Sequence, residues 1–310
     1  MHIERDTHYA KVLLEGLGDQ TMNGSNLTGV HFLMTYSCSA ECEHCFVWCS
    51  PRRGGRITVQ QIDAFLDELA QAPQVKTLCG EGGEPFLFLR ELMHLVREGT
   101  TRGYQVSALT NAFWAVSDDA ARRTLGRLRD GGLVSLGIST DCWHARSVPP
   151  ERVDRALRIC EEMGIKSSKM VTELREVMFR GHAAARLTAC ASETMPWREL
   201  AQCGKETLAE PGRVHCDRYG GLHLCQGLRI ADPAGGLARA IHGYEPSHHP
   251  VVRLLTEGGP RRLAEEAIEH GFVPRDSYAG GCHLCYEARK FLRSCWPELL
   301  GPDEMYGGHA

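Results

Sequence analysis

"VKTLCGEGGEPFLFLRELMHLVREG", residues 75–99, reads as a short apolar strand, a glycine turn and a helix in direct succession. The strand "VKTLC" (75–79) is mostly apolar, as a strand covered on both faces should be. The helix "FLRELMHLVREG" (88–99) ends at a glycine suited to a left-handed C-cap. The same unit recurs on both sides. "VHFLMT" (30–35), "YQVSAL" (104–109), "LVSLGIS" (133–139), "IKSSKMV" (165–171) and "REVMF" (175–179) read as further strands. Thr58 and Gln61 make a capping box ahead of Ile62, Phe65, Leu66 and Leu69, which share one helical face. "SDDAARRTLGRLRDGG" (117–132) and "PPERVDRALRICEEMG" (149–164) are helices that also end at glycines. Strands alternating with helices predict a parallel sheet with right-handed crossovers. Six strands and four helices predict an α/β fold, a partial (β/α)6 barrel. In such sheets reactive groups sit on loops after the strand C-termini.

The 310 residues are 43% hydrophobic and 24% charged, enough for a substantial core. A net charge of −4 argues against a nucleic-acid surface, which needs concentrated Lys and Arg. The start, "MHIERDTHYAKVLLEGLGDQ", holds Glu4, Asp6 and Lys11 and no apolar stretch fit for export. No apolar run approaches the ~20 residues that would span a bilayer. A cytoplasmic protein without a membrane or nucleic-acid partner is expected, and there thiols stay reduced. Disulfides explain 14 cysteines poorly in that compartment, and metal ligation explains them better. Past "RGHAAARL" (180–187) the regularity fails. Seven cysteines, many glycines and short strands at "RVHC" (213–216) and "LHLC" (222–225) predict a small second domain braced by something other than a large core.

"CSAECEHCFVWC", residues 38–49, follows the first strand and holds Cys38, Cys42 and Cys45 at C-x3-C-x2-C. Three thiolates so spaced can fold around one corner of an iron–sulfur cubane and leave the fourth iron open to chemistry. A zinc site on Cys42 and Cys45, with Cys38 and Cys49, is the alternative. "GEGGEPF" (80–86) follows the next strand. Its adjacent glycines let the backbone approach a ligand closely, and Glu84 could take a cationic amine.

With these two motifs one βα unit apart, the chain resembles the radical S-adenosylmethionine superfamily. Cys38, Cys42 and Cys45 match its cluster motif, and Gly82, Gly83, Glu84 and Pro85 match its GGEP motif. The resemblance implies a [4Fe–4S] cluster whose open iron chelates the amino and carboxylate groups of S-adenosyl-L-methionine. Reductive cleavage would then give a 5′-deoxyadenosyl radical, and the GGEP backbone would hold the methionine amino group. Asn111 in "LTNA" and Ser139 and Asp141 in "ISTD" match positions that contact ribose or methionine; turns and helix caps favour the same residue types. His44 departs from the family, where a bulkier aromatic is common before the third cysteine.

Cys203, Cys225, Cys282 and Cys285 form C-x21-C…C-x2-C, similar to the Twitch domain, the short form of the SPASM extension, and imply a second, auxiliary [4Fe–4S] cluster. A zinc ribbon uses similar pairs, and Cys216 or Cys295 could replace one ligand. "RGHAA" (180–184) resembles the connector between barrel and extension. The expected division is an N-terminal arm (1–29), a barrel (30–185) and a Twitch domain (186–310). Small enzymes of this type act on sugars and aminocyclitols of aminoglycosides, as epimerases or alcohol dehydrogenases; others epimerise or cross-link ribosomal peptides. A 29-residue arm is short for a leader-peptide domain, which favours the small polyol. An electron donor such as flavodoxin or ferredoxin is implied. For an epimerase, Cys190 is the expected hydrogen donor, with Cys142 and Cys216 in reserve, and His144 in "TDCWH" is a candidate base. Cys79 and Cys160 read as core residues. A zinc-stabilised binding protein is the non-enzymatic reading.

Overall fold

The computed structural model describes residues 26–231 and 235–308. Most of the expected arm, residues 1–25, lies outside the described residues. Ten strands are described: β1 Gly29–Leu33, β2 Thr77–Glu81, β3 Gln105–Thr110, β4 Leu133–Ser139, β5 Lys166–Met170, β6 Met195–Pro196, β7 Arg213–Cys216, β8 Leu222–Cys225, β9 Leu228–Ala231 and β10 Ser277–Tyr278. Eight of them form one sheet in the order β5-β4-β3-β2-β1-β7-β8-β9. From β5 through β7 every pairing is parallel; β8 and β9 return antiparallel. This is the α/β sheet that alternating strands and helices predict.

Three local readings are corrected. No strand forms over 175–179: Leu174–Glu176 is a 3-10 turn, and Val177 and Phe179 bury against Ala183 and Leu187 instead. The sixth parallel strand is β7, which pairs with β1, so "RVHC" extends the main sheet. Gly99 does not stop its helix, which runs Leu89–Thr101; the left-handed residue is Gly103, φ +89°. The Thr58–Gln61 capping box forms, and Ile62, Phe65, Leu66 and Leu69 are buried. Each such side chain contributes about 1.5–3 kcal/mol by burial.

The two faces of the sheet differ more than the apolar strands suggested. Val30, Phe32, Leu78, Val106, Ala108, Leu136 and Val214 pack with the helices in one core. The opposite face carries a polar row in register across six strands: His215, His31, Cys79, Ser107, Ser135 and Lys166. Within it, Glu81 pairs with His31 Nδ1 at 3.0 Å and His215 Nδ1 at 2.7 Å. Burial opposes ionisation of Glu81, but the two imidazoles outweigh it and hold the carboxyl well below the usual range. A depressed carboxyl pKa stabilises the fold above the unfolded value, and the gain is lost as pH falls. Glu81→Gln is therefore expected to cost on the order of 3 kcal/mol at pH 7, as removal of one partner of a buried pair does. The deficit relative to wild type should hold down to about pH 5 and shrink progressively below about pH 4, measured by urea unfolding across that range.

Candidate active site

The loop after β1 is a closed lobe. Ser37 and Ser50 bridge its neck, and Cys38 N–H donates to Ser50 O at 3.1 Å. Within the lobe Cys38, Cys42 and Cys45 lie close enough to repel one another as thiolates. Burial, reinforced by Glu84, pushes the Cys38 thiol up to about 12; burial also pushes Cys42 up, whereas a hydrogen bond from Cys49 draws Cys45 down. Thiols held protonated by burial ionise when a cation arrives, so loading this site releases protons. Cys49 belongs to the same lobe through Cys45.

The turn after β2 zips onto this lobe. Gly83 N–H donates to Thr35 O at 2.7 Å, and Glu84 N–H to Ser37 O at 2.8 Å. A Cβ on Gly82 would stand 2.6 Å from Thr35 O, and one on Gly83 2.0 Å from Ser37 O. Both glycines are thus required by backbone-to-backbone approach. The N–H groups of Gly83 and Glu84 face the lobe, so a ligand amine would have to meet carbonyls. Glu84 is fully buried, and burial pushes its carboxyl up to about 7. It accepts from Thr110 Oγ1 and Asn111 N–H, both at 2.8 Å, and from Phe86 N–H at 3.1 Å, tying the turn to the end of β3. Pro85 opens the 3-10 turn that follows. Asn111 in turn reaches the lobe, with Nδ2 3.0 Å from Ser39 Oγ and 3.8 Å from Cys38 Sγ.

Ser139, half-buried, ends β4. Asp141 beyond it accepts from Trp143 N–H and His144 N–H at 3.1 Å each and pairs with His144 Nδ1 at 2.8 Å. Burial opposes its ionisation, but His144 holds the carboxyl below its usual range. The other Asp141 oxygen lies 3.6 Å from His44 Nε2, and His44 stacks on Trp143 at 5.6 Å. His44, the departure noted in the sequence, therefore stitches the first lobe to the β4 loop. Burial lowers its pKa to about 4, so it is neutral at pH 7. His44 Nδ1 and Trp143 Nε1 are buried without a partner among the described residues. Unmet buried donors cost about 1–3 kcal/mol each, so these loops suit a polar ligand. Cys42, His44 and His144 also offer ligand atoms within 4.8 Å of one another, a spacing open to zinc.

The second cysteine set also converges. Cys225 ends β8, Cys282 and Cys285 stand one turn apart on the helix Gly281–Leu292, and Cys203 lies in the loop after Trp197–Glu199. Burial pushes the Cys203, Cys282 and Cys285 thiols up, and repulsion from the neighbouring thiols adds to it. Two buried arginines, Arg180 and Arg289, donate to Cys225 Sγ, the latter at 3.6 Å. Nothing in the sequence marked these cations beyond the position of Arg180 in "RGHAA". Four convergent thiols with two buried counter-charges fit an anionic iron–sulfur cluster.

Of the other cysteines, Cys216 is fully buried on the helix-facing side of β7, and Cys295 is exposed, 3.9 Å from His270 Nδ1. Cys142 and Cys190 are exposed. Ala191, next to Cys190, packs into one apolar cluster with Trp143, next to Cys142. The segment 180–184 touches the first lobe: Ala183 N–H donates to Cys45 O at 3.3 Å, and a Cβ on Gly181 would stand 2.7 Å from Val47 N.

Residues 32–183 match the family described as the Radical SAM superfamily. YydG of Bacillus subtilis (strain 168), a protein named for peptide biosynthesis, is 28% identical over 123 residues, 39% of this chain and 38% of that protein. The match thus spans well under two thirds of that relative's length. The solved structure of BtrN in complex with AdoMet and 2-DOIA is similar in fold, with a TM-score of 0.50 at 11% identity, covering 76% of this chain and 89% of that one. Native anSMEcpe with bound AdoMet gives a TM-score of 0.48 at 12% identity, covering 88% and 98%. Among the described residues no helix is long and apolar enough to cross a membrane.

Proposed function

Residues 32–183 of this chain being a radical S-adenosylmethionine domain, we propose that the enzyme is an epimerase of a ribosomally made peptide. The observation that carries the substrate is the 28% identity to YydG. It reverses the preference for a sugar or aminocyclitol, which rested on the shortness of residues 1–29. The polyol reading stands second, and BtrN, solved with 2-DOIA, likens the fold only.

When bound, the cluster and S-adenosylmethionine supply a 5′-deoxyadenosyl radical, which takes a hydrogen atom from an unactivated C–H bond. Cys38, Cys42 and Cys45 would hold that cluster. Gly82, Gly83, Glu84 and Pro85 shape the wall beside it, with Asn111, Ser139 and Asp141 at the neighbouring strand ends. Cys203, Cys225, Cys282 and Cys285 would hold an auxiliary cluster in a Twitch domain covering 186–310, with 30–185 as the barrel. Cys190 remains the proposed hydrogen donor and Cys142 the reserve, since both are exposed beside the Trp143 cluster. Cys216 faces the helices instead. A donated hydrogen atom leaves a thiyl radical, which needs one electron, proposed to come from a flavodoxin or ferredoxin, and one proton from solvent.

The test is incubation with S-adenosylmethionine, a reductant and either peptides encoded beside the gene or pseudo-oligosaccharide aminoglycosides, in deuterated buffer. One deuterium at an inverted α-carbon of a peptide is the expected result, and Cys190→Ala should cleave S-adenosylmethionine yet lose at least 90% of the inverted product. Deuterium in the aminoglycoside alone would return the substrate to the polyol class.

A further inference from the structure

Arg180 and Arg289 are 2% and 0% exposed. Taking a guanidinium out of water costs several kcal/mol unless anions and hydrogen bonds meet it. Their partners other than Cys225 do not suffice. Arg289 Nη1 donates to Gln226 O at 3.1 Å, a neutral group, and its planar head lies 5.8 Å from the Tyr306 ring centre. Arg180 Nη2 donates to Met178 Sδ at 2.8 Å and lies 3.9 Å from a Glu206 oxygen, but Arg213 shares that carboxylate at 3.6 Å. The Nε of both arginines has no partner among the described residues. What the two side chains share is Cys225 Sγ, to which each donates. Two fixed cations thus converge on one corner of the four-cysteine set.

The charges match. A [4Fe–4S]2+ core with four thiolates is a dianion, and one-electron reduction adds a third negative charge. Net charge and hydrogen bonds to sulfur are the levers that set a cluster's potential. We propose that Arg180 and Arg289 are the built-in counter-charges of the auxiliary cluster and raise its reduction potential, making it the better electron acceptor. The proposal rests on reading Cys203, Cys225, Cys282 and Cys285 as the ligands of that cluster. Arg180 has a second reach: its guanidinium stands 5.3 Å over the ring of Phe46, which follows Cys45 in the first lobe. Arg289 has no such contact and isolates the auxiliary effect.

The experiment uses the full chain, reconstituted anaerobically with iron and sulfide, with Cys38, Cys42 and Cys45 replaced by Ala so that one cluster remains. Potentials are read by electron paramagnetic resonance in a redox titration. Arg289→Gln, which keeps hydrogen bonding and loses the charge, should lower the reduced-to-oxidised ratio at fixed potential at least tenfold, about 59 mV for one electron. Arg289→Lys, which keeps the charge, should stay within threefold of the parent. Equal potentials in the Gln and Lys variants, with iron unchanged, overturn the counter-charge role alone. Loss of all iron from the parent triple variant overturns the auxiliary-cluster reading and this inference with it.

Discussion

Replacing Cys38, Cys42 and Cys45 together by Ala is expected to abolish 5′-deoxyadenosine formation and to remove about four irons per chain, while about four stay behind. The lobe between Ser37 and Ser50 is pinned at its neck and places the three thiols against one another in a buried setting. Its remaining thiol, Cys49, is hydrogen-bonded to Cys45. The lobe is also held by contacts that do not involve the three sulfurs. Trp48 Nε1 donates to Tyr286 Oη at 2.8 Å, and Val47 and Cys49 pack with Tyr286, Met305 and Tyr306. A triple variant should therefore stay folded and lose only the metal. Chemistry that depends on the open iron should drop below measurable turnover, whereas a binding protein would show no 5′-deoxyadenosine in either form. Two outcomes would sink the assignment: reductive cleavage surviving in the triple variant, or zinc in place of iron in the wild-type chain purified without oxygen, bound at Cys42, His44 and His144.

Much of this site was legible in the sequence because its signals are local. Three cysteines on one loop, a double glycine after the next strand and a capping box at Thr58 each work over a few residues. The strand readings held where apolar side chains face the helices. "REVMF" misled because its β-branched and aromatic residues suit any half-buried surface, and strand preference is largely such packing. Here Val177 and Phe179 bury without a ladder. Which sheet edge "RVHC" would join depends on β1, far off in sequence, and no periodicity encodes that choice. The polar row His215–His31–Cys79–Ser107–Ser135 was hidden for a related reason: each strand contributes one polar residue among apolar neighbours, and only register lines them up. His44 was visibly unusual, but its partner Asp141 lies about a hundred residues on, beyond any local rule. Arg180 and Arg289 drew no notice because a basic residue is usually solvated, and only burial exposes the need for an anion.

Gly83→Ala is expected to weaken S-adenosylmethionine binding and slow 5′-deoxyadenosine formation on the order of a hundredfold, the usual scale for an ~1 Å misplacement at a reacting centre. The added methyl would lie 2.0 Å from Ser37 O and 2.7 Å from Ser37 C, and both are backbone atoms that no rotamer change can move aside. Relief requires separating the two chains, which breaks the Gly83 N–H bond to Thr35 O and the Glu84 N–H bond to Ser37 O. Ser37 cannot yield alone. Its N–H donates to Thr35 Oγ1 at 2.9 Å, and its hydroxyl, hydrogen-bonded to Arg53 O, sits at the bridge to Ser50 that closes the cysteine lobe. Glu84 cannot yield either without losing Thr110 and Asn111, through which Asn111 holds Ser39 and Cys38. A shift at Gly83 is thereby passed to Cys38 from both sides. Gly54→Ala provides the control, since a Cβ there meets nothing within 4 Å, and it should match wild type within twofold. Anaerobic calorimetric titration, iron analysis and the initial rate of 5′-deoxyadenosine release read the effect together. Should Gly83→Ala keep its iron, its affinity and its rate within twofold of wild type, the close approach of the GGEP turn to the cysteine lobe would not be what positions the site.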